Sequence, residues 1–281
     1  MTKKIVVTGA SGFIGKHLCR HLHALGHKVL PLSRQPTTGM HTISNYTECP
    51  TADLLIHLAE NPLRKIVNNY AERDYEKATF LCGFLSNKFK NRMIYASSST
   101  VYGDQNTTPN TEQTPCFASD TYTKLKLYNE QVVLNNSGTV VRLANIFGSG
   151  MSADTVISQI IEQSHPSNKL YVGNCSAIRD FLAIQDLVSA FEYMVNDPKQ
   201  GLYNIASGEI FSIRKIAQKI LLFCHQNTRE IIETHPSNLT STIEISIEKL
   251  TSAFKWKPLC SVDQRLKDYI ESLGEHMNAQ A

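Results

Sequence analysis

The sequence lacks any apolar run approaching the roughly 20 residues that span a bilayer, which excludes a helical membrane protein. It lacks a strong charge of either sign: 28 Lys and Arg stand against 25 Asp and Glu, a net +3. No concentrated basic patch results, so nucleic acid is not an expected partner. No internal repeat or low-complexity segment is present, which excludes a fibrous or disordered chain. No C-x-x-C occurs. The seven cysteines, Cys19, Cys49, Cys82, Cys116, Cys175, Cys224 and Cys260, are odd in number and widely spaced. They form neither a disulfide framework nor the clustered ligand set that zinc needs, and no metal is expected. Reduced thiols in a cytoplasmic protein are the expectation. Lys3 and Lys4 precede only Ile5-Val6-Val7, too short for the apolar stretch of a secretory signal. What is present is ordinary for a soluble globular chain: 281 residues, 42% hydrophobic and 19% charged. That length can bury one or two cores.

Apolar runs alternate with helical periodicity. Ile5-Val6-Val7 reads as a buried strand, followed by a glycine-rich turn. Phe13, Ile14, His17, Leu18, His21, Leu22 and Leu25 then recur at helical spacing, and Gly26 closes the helix. Lys28–Ser33 is a second strand, blemished by Pro31. Residues 35–51 read as loop with one short strand near His41–Ser44. Further strands are predicted at Leu54–Ala59, Arg92–Ser97, Thr139–Leu143 and Gly201–Ile205. Helices are predicted over 70–90, Tyr122–Asn135, Asp186–Val195 and Ile213–Phe223. Around 243–254 an alternating run leads to a helix that Ser246 would cap and that ends at Phe254. The alternation predicts an α/β fold of the Rossmann type, a doubly wound parallel sheet with a smaller C-terminal substrate lobe.

Gly9-x-x-Gly12-x-x-Gly15 lies between a predicted strand and a predicted helix. Glycines there let the backbone turn tightly and approach a pyrophosphate, while the helix start offers free N–H groups. A chain that binds NAD usually carries Asp or Glu at the end of the second strand, for the ribose 2′-hydroxyl. Here Ser33 and Arg34 stand in that place. They suit a 2′-phosphate, so NADP is the expected cofactor, with NAD the alternative.

Tyr122-Thr123-Lys124-Leu125-Lys126 sets Tyr122 and Lys126 four residues apart, on one helix face. A lysine ammonium beside a phenol favours the phenolate, so such a tyrosine can pass a proton to or from an alcohol oxygen. Ser97-Ser98-Ser99-Thr100 ends a predicted strand, where active sites on sheets collect.

Together the glycine turn, the serine strand and the Tyr-Lys pair resemble the extended short-chain dehydrogenase/reductase family, in its nucleotide-sugar epimerase, dehydratase and reductase branch. The resemblance covers nearly the whole chain. Asp53–Ala59 resembles that family's fourth strand. Ser97-Ser98-Ser99-Thr100-Val101-Tyr102-Gly103 matches its serine motif, with Ser98 at the active position. Glu130 stands at the glutamate that often follows the catalytic pair. Arg142-Leu143-Ala144-Asn145-Ile146-Phe147-Gly148 resembles the segment leading into the substrate lobe. The run from Val172 through Arg179-Asp180-Phe181 to Asp186 resembles the substrate-phosphate segment. Leu202–Glu209 and Trp256-Lys257-Pro258 resemble the C-terminal landmarks.

The resemblance implies catalytic roles for Ser98, Tyr122 and Lys126. It implies a cofactor site of Gly9, Ser11, Gly12, Phe13, Ile14, Gly15, Ser33, Arg34, Leu58, Ala59, Tyr122 and Lys126. A nucleotide-diphosphate sugar would be held by Ser98, Ser99, Tyr122, Asn145 and Arg179, whereas Arg142, Asp180 and Asp186 would be structural. It implies a cofactor lobe over 1–148, rejoined by the strand near 202–205, a mainly substrate-binding lobe over 149–281, and a homodimer built from the 70–90 and Tyr122 helices. Departures narrow the reaction. Ser99 and Thr100 occupy the places of the acidic pair that 4,6-dehydratases use. Thr100 also replaces the cysteine of the epimerase-reductases that make GDP-fucose. The segment after the second strand is too short for the extra helix of many NAD-retaining epimerases. The expected reaction is NADPH-dependent reduction of a nucleotide-linked 4-keto-6-deoxy sugar. The alternatives are an NAD-dependent 4-epimerase and a non-catalytic NAD(P)-sensing regulator. Two further departures are Glu60, next to the expected nicotinamide site where the family has a small residue, and the missing asparagine near Tyr75–Thr79.

Overall fold

The computed structural model describes residues 1–164, 169–239 and 241–278. Its strands are β1 (Lys4–Thr8), β2 (Lys28–Ser33), β3 (His41–Thr42), β4 (Leu54–His57), β5 (Met93–Ser98), β6 (Thr139–Leu143), β7 (Asn145–Phe147), β8 (Lys169–Val172), β9 (Ile178–Ala183), β10 (Gly201–Ile205), β11 (Ile210–Ser212), β12 (Glu230–Glu233) and β13 (Thr242–Ile243). Its α-helices are α1 (Phe13–Ala24), α2 (Arg64–Val67), α3 (Glu72–Phe89), α4 (Thr121–Asn135), α5 (Val156–Glu162), α6 (Ile184–Asn196), α7 (Ile213–Phe223), α8 (Glu248–Phe254) and α9 (Val262–Asn278).

Seven strands form one sheet in the order β10-β6-β5-β4-β1-β2-β3, and every pairing in it is parallel. Helices cover both faces, which is why the central strands read as continuous apolar runs. Ile5 and Val7 of β1 pack toward Leu18 and Leu22 of α1 and toward Phe191 and Met194 of α6. Val6, between them, faces the other way, with Cys82, Leu85 and Phe89 of α3. The chain runs outward from β1 through β2 to β3, then returns to place β4 on the opposite side of β1. That reversal leaves a crevice beyond the C-terminal ends of β1 and β4, where ligands bind in open α/β sheets.

Pro31 sits in β2 without disrupting it. Leu32 accepts from the Ala10 N–H on the β1 side, and Ser33 accepts from the Ile43 N–H on the β3 side. By alternation Pro31 faces the β3 side, and β3 pairs only with Leu32 and Ser33. The missing N–H therefore falls on an open stretch of edge.

A second core joins Phe147, Ile157, Leu170, Phe181, Ile216 and Leu266, where the later, shorter strands gather. Here β9 pairs antiparallel with β11 and parallel with β7 and β13, while β8 and β12 pair across about sixty residues of chain. The helix expected to follow a Ser246 cap starts at Glu248 and ends at Phe254, and β13 ends at Ile243. Ser246 lies two residues before that start and accepts from the Glu248 N–H at 3.4 Å, one step off the cap position. Among the described residues, no helix is long and apolar enough to cross a membrane.

Candidate active site

The glycine turn follows β1 directly. Gly9 has a positive φ of 69°, and a Cβ on it would lie 2.7 Å from the Leu58 carbonyl oxygen. A Cβ on Gly15 would lie 2.2 Å from the Gly9 carbonyl oxygen, so turn and helix touch backbone to backbone. Gly12 caps α1 with no side-chain acceptor. The first-turn N–H groups of α1 are therefore left for a ligand, the arrangement that suits an anion. At the end of β2, Ser33 Oγ is 3.4 Å from Ser11 Oγ. Arg34 is exposed and lies 5.5 Å from the ring centre of Tyr46, whose hydroxyl accepts from the Gly9 N–H.

The phenol and its lysine stand on the first two turns of α4. Asp120 caps that helix in a reciprocal pair with Thr123: the Thr123 N–H reaches Asp120 Oδ1 at 2.9 Å and the Asp120 N–H reaches Thr123 Oγ1 at 3.1 Å. The chain after β4 reinforces the cap. Asn68 donates to Asp120 and accepts from the Tyr122 N–H, each at 2.9 Å, and Arg64 pairs with Asp120. Burial works against the Asp120 carboxylate, yet these donors hold it well below the usual range. Tyr122 packs its ring against Val67 and Leu125. Its ring centre is 5.8 Å from Lys126 Nζ. Ser98, last residue of β5, accepts from the Thr100 N–H and lies 2.9 Å from Thr100 Oγ1.

Glu60 turns inward. Its carboxylate lies 2.7 Å from Lys126 Nζ and accepts from Tyr95 at 2.9 Å and from Asn129 at 2.8 Å. Lys126 also donates to the Ala96 carbonyl at 2.9 Å. Burial opposes the charge on both partners. The Lys126 charge, with hydrogen bonds from Lys126 and Tyr95, nevertheless holds the Glu60 carboxyl below its ordinary value. Glu60 first, then Tyr122, hold the Lys126 ammonium above its own. His57, one step behind on β4, is buried against Thr8 at 2.7 Å, and burial pushes its imidazole down to about 4.

One open cleft of about 1570 Å³ joins these parts. That exceeds the roughly 300–1,000 Å³ of a single drug-sized site and leaves room for two extended ligands. Its lining includes every residue assigned to the cofactor from the sequence, and Ser98, Tyr122, Asn145 and Arg179. Ser99 does not reach it. It begins the tight turn after β5 and is 3% exposed, facing the core where Ser98 faces the cleft. Arg179 gives one terminal nitrogen to the Ile178 and Ser241 carbonyls and the other to Ser241 Oγ, all at 2.7 Å. Asp104 accepts from the same Ser241 hydroxyl at 2.6 Å.

The residues read as structural are buried and held by ion pairs or hydrogen bonds. Arg142 pairs with Glu130 through two nitrogens. Asp186 takes both ends of Arg265 at 2.8 Å. Asp180 accepts from Ser207 and Gly208, and burial lifts its carboxyl to about 7. Sequence reasoning missed the Asn68 clamp and the Asn129 contact, which only the fold brings to the site. It singled out Glu60 without a role. A charged residue three positions past a buried strand was the available signal.

Residues 5–206 match the model of the NAD dependent epimerase/dehydratase family. A GDP-6-deoxy-D-mannose reductase of Pseudomonas aeruginosa is 27% identical over 302 residues, covering 95% of this chain and 96% of that one. A UDP-glucose 4-epimerase of Bacillus subtilis is 22% identical over 271 residues, covering 76% and 80%. The solved structure of RMD from Pseudomonas aeruginosa complexed with NADPH superposes with a TM-score of 0.83 at 24% identity, covering 98% of this chain and 100% of that one. The UDP-glucose 4-epimerase of Thermotoga maritima with UDP-glucose gives 0.86 at 18% identity, covering 98% and 99%. These structural likenesses establish the shared fold.

Proposed function

The chain belongs to the NAD dependent epimerase/dehydratase family, and we propose that within it the protein is an NADPH-dependent 4-ketoreductase acting on a nucleotide-diphosphate-linked 4-keto-6-deoxy sugar. One observation carries the reading: a cleft lined by Ser98, Tyr122 and Lys126 runs on to a second strand that ends in Ser33-Arg34 and offers no carboxylate. The similar reductase from Pseudomonas aeruginosa, whose solved structure holds NADPH, supports it.

The uncapped start of α1 and the tight glycine backbone fit a dinucleotide pyrophosphate. Ser33 and Arg34 would hold the 2′-phosphate, Leu58 and Ala59 would flank the cofactor, and Lys126 would hold the ribose. When bound, the reduced nicotinamide supplies hydride to the sugar carbonyl carbon. Ser98 donates a hydrogen bond to the carbonyl oxygen as charge develops there. Tyr122 gives its phenol proton to the new alkoxide, and Lys126 stabilises the phenolate left behind. Asn145 and Arg179 would meet the substrate diphosphate, with residues 1–148 mainly serving the cofactor and 149–281 the substrate. The pair of helices α3 and α4 exposes Phe80 and Tyr128, and we propose a homodimer through this face. Sedimentation of the full chain should give twice the monomer mass, and a monomer rejects the pairing.

The test of function is direct. The purified protein is incubated with NADPH and UDP-, TDP-, GDP- and CDP-linked 4-keto-6-deoxy sugars, following absorbance and identifying the product. Stoichiometric NADPH consumption with one of them, by protein that arrives largely free of nucleotide, is expected. Tightly bound NAD(H) with interconversion of 4-hydroxy epimers would instead identify an epimerase. Binding without turnover would identify a sensor.

A further inference from the structure

We propose that Glu60 is the positioning residue for Lys126, fixing its ammonium in a buried site and leaving one N–H for the cofactor. The inference rests on the reading of Lys126 as the ribose-binding lysine and extends it to a residue outside the Ser-Tyr-Lys set. The Lys126 and Glu60 side chains are 8% and 10% exposed, so each is a charge largely removed from water. The Glu60 carboxylate is held by three donors. Lys126 and Asn129 reach it from α4, three residues apart on one face, and Tyr95 reaches it from β5. Lys126 Nζ has three N–H groups. One goes to Glu60 and one to the Ala96 carbonyl, and among the described residues the third has no hydrogen-bond acceptor. The amine also lines the cleft.

The physical consequence is specific. An ammonium buried without a counter-charge loses its proton easily, and then one lone pair replaces a donor. Glu60 opposes that loss, and the site keeps a donor for the ribose into alkaline solution. The other titratable groups around Lys126 do not substitute for it. His57 on β4 is held neutral by burial, while burial keeps the Tyr95 phenol on β5 and the Cys82 thiol on α3 protonated. Tyr122, on the same helix, is the remaining neighbour and is unchanged in every variant below.

The test measures NADPH affinity by nucleotide fluorescence from pH 6.5 to 9.5. The wild type should vary less than about twofold over this range. Glu60→Gln should bind within about threefold of wild type at pH 6.5 and weaken about tenfold by pH 9.5, as its lysine deprotonates; a lost charge-assisted hydrogen bond is of that size. Lys126→Met should bind about tenfold more weakly at every pH, and adding Glu60→Gln to it should cost nothing more. Glu60→Asp keeps the charge at shorter reach, and it should bind somewhat more weakly with a flat profile. If Glu60→Gln does not fold, Glu60→Asp carries the test alone: an alkaline loss of affinity there overturns the proposal. So does a Glu60→Gln profile parallel to wild type, or an equal cost of Glu60→Gln with and without Lys126. If Lys126→Met binds as wild type does, the lysine's own role falls and this proposal with it. If Lys126→Met is weak but Glu60→Gln is flat, the role of Glu60 alone is overturned.

Discussion

Tyr122→Phe should lower the rate of 4-keto sugar reduction by about 10²–10⁴-fold, the range a general acid supplies, while NADPH affinity stays within about twofold. The large effect and the small one come from separable parts of the same residue. The ring is what packs, against Val67 and Leu125, and phenylalanine keeps it. The N–H that Asn68 accepts belongs to the backbone, and the helix start rests on Asp120 and Thr123. Lys126 is held by Glu60 and Ala96 and needs no help from the phenol to stay in place. Only the proton donor is removed. Single-turnover measurements of NADPH absorbance, paired with a fluorescence titration of NADPH, separate the two quantities. Turnover at the wild-type rate would remove Tyr122 from the chemistry. A matched loss in binding and turnover would make its role one of packing.

The parallel sheet was legible in the sequence because its central strands are buried on both faces. Ile5-Val6-Val7 and Leu54-Leu55-Ile56 announce themselves as short apolar runs flanked by polar residues. The cofactor turn was legible for a related reason. Gly9 and Gly15 sit where a Cβ would lie 2.7 and 2.2 Å from a backbone oxygen, too close for any other residue. The C-terminal third was harder to read. Strands β11 and β13 are three and two residues long, too short for any period to register, and β8 finds β12 only through the second core. Within the site, Ser98 and Ser99 look alike as letters. The turn after β5 decides between them, sending one to the cleft and the other to the interior. The roles of Glu60 and Asn68 were unreadable for a deeper reason. Their roles depend on α4 lying beside the chain after β4, a contact between segments about sixty residues apart in sequence.

In the proposed function, that same loop ties together binding and catalysis. It leaves β4 past Leu58 and Ala59, places Glu60 against Lys126, and then clamps the start of α4 with Arg64 and Asn68. The turn at Gly9 packs on Leu58 from the other side. The cofactor turn and the catalytic helix are thus held to one short stretch of backbone. That arrangement supplies the fixed geometry that the proposed hydride transfer requires.

Arg34→Ala should raise the apparent Kd for NADPH by about 10–100-fold and change that for NADH by less than about threefold, the difference expected from losing charge-assisted bonds to one phosphate. Arg34 is the first residue beyond β2 and is exposed, so its removal leaves the core untouched and stability close to wild type. Its place is nevertheless defined. The guanidinium lies 5.5 Å from the Tyr46 ring centre, and the Tyr46 hydroxyl reaches back to the Gly9 N–H of the cofactor turn. Ser33, buried beside Ser11, adds a neutral hydroxyl at the same end of β2. A positive planar fork over an aromatic ring, with a serine behind it, fits a phosphate dianion; a ribose hydroxyl gains little from the charge. Arg34→Lys separates charge from geometry. It should recover part of the NADPH affinity, since the charge returns without the two-pronged fit. Both variants are read by parallel titrations with the two nucleotides at fixed ionic strength, because added salt screens an exposed contact of this kind. Equal losses for NADPH and NADH would remove the 2′-phosphate role and shift the reading toward an NAD enzyme. A selective loss for NADPH would tie the cofactor choice to the residue at which β2 leaves the sheet.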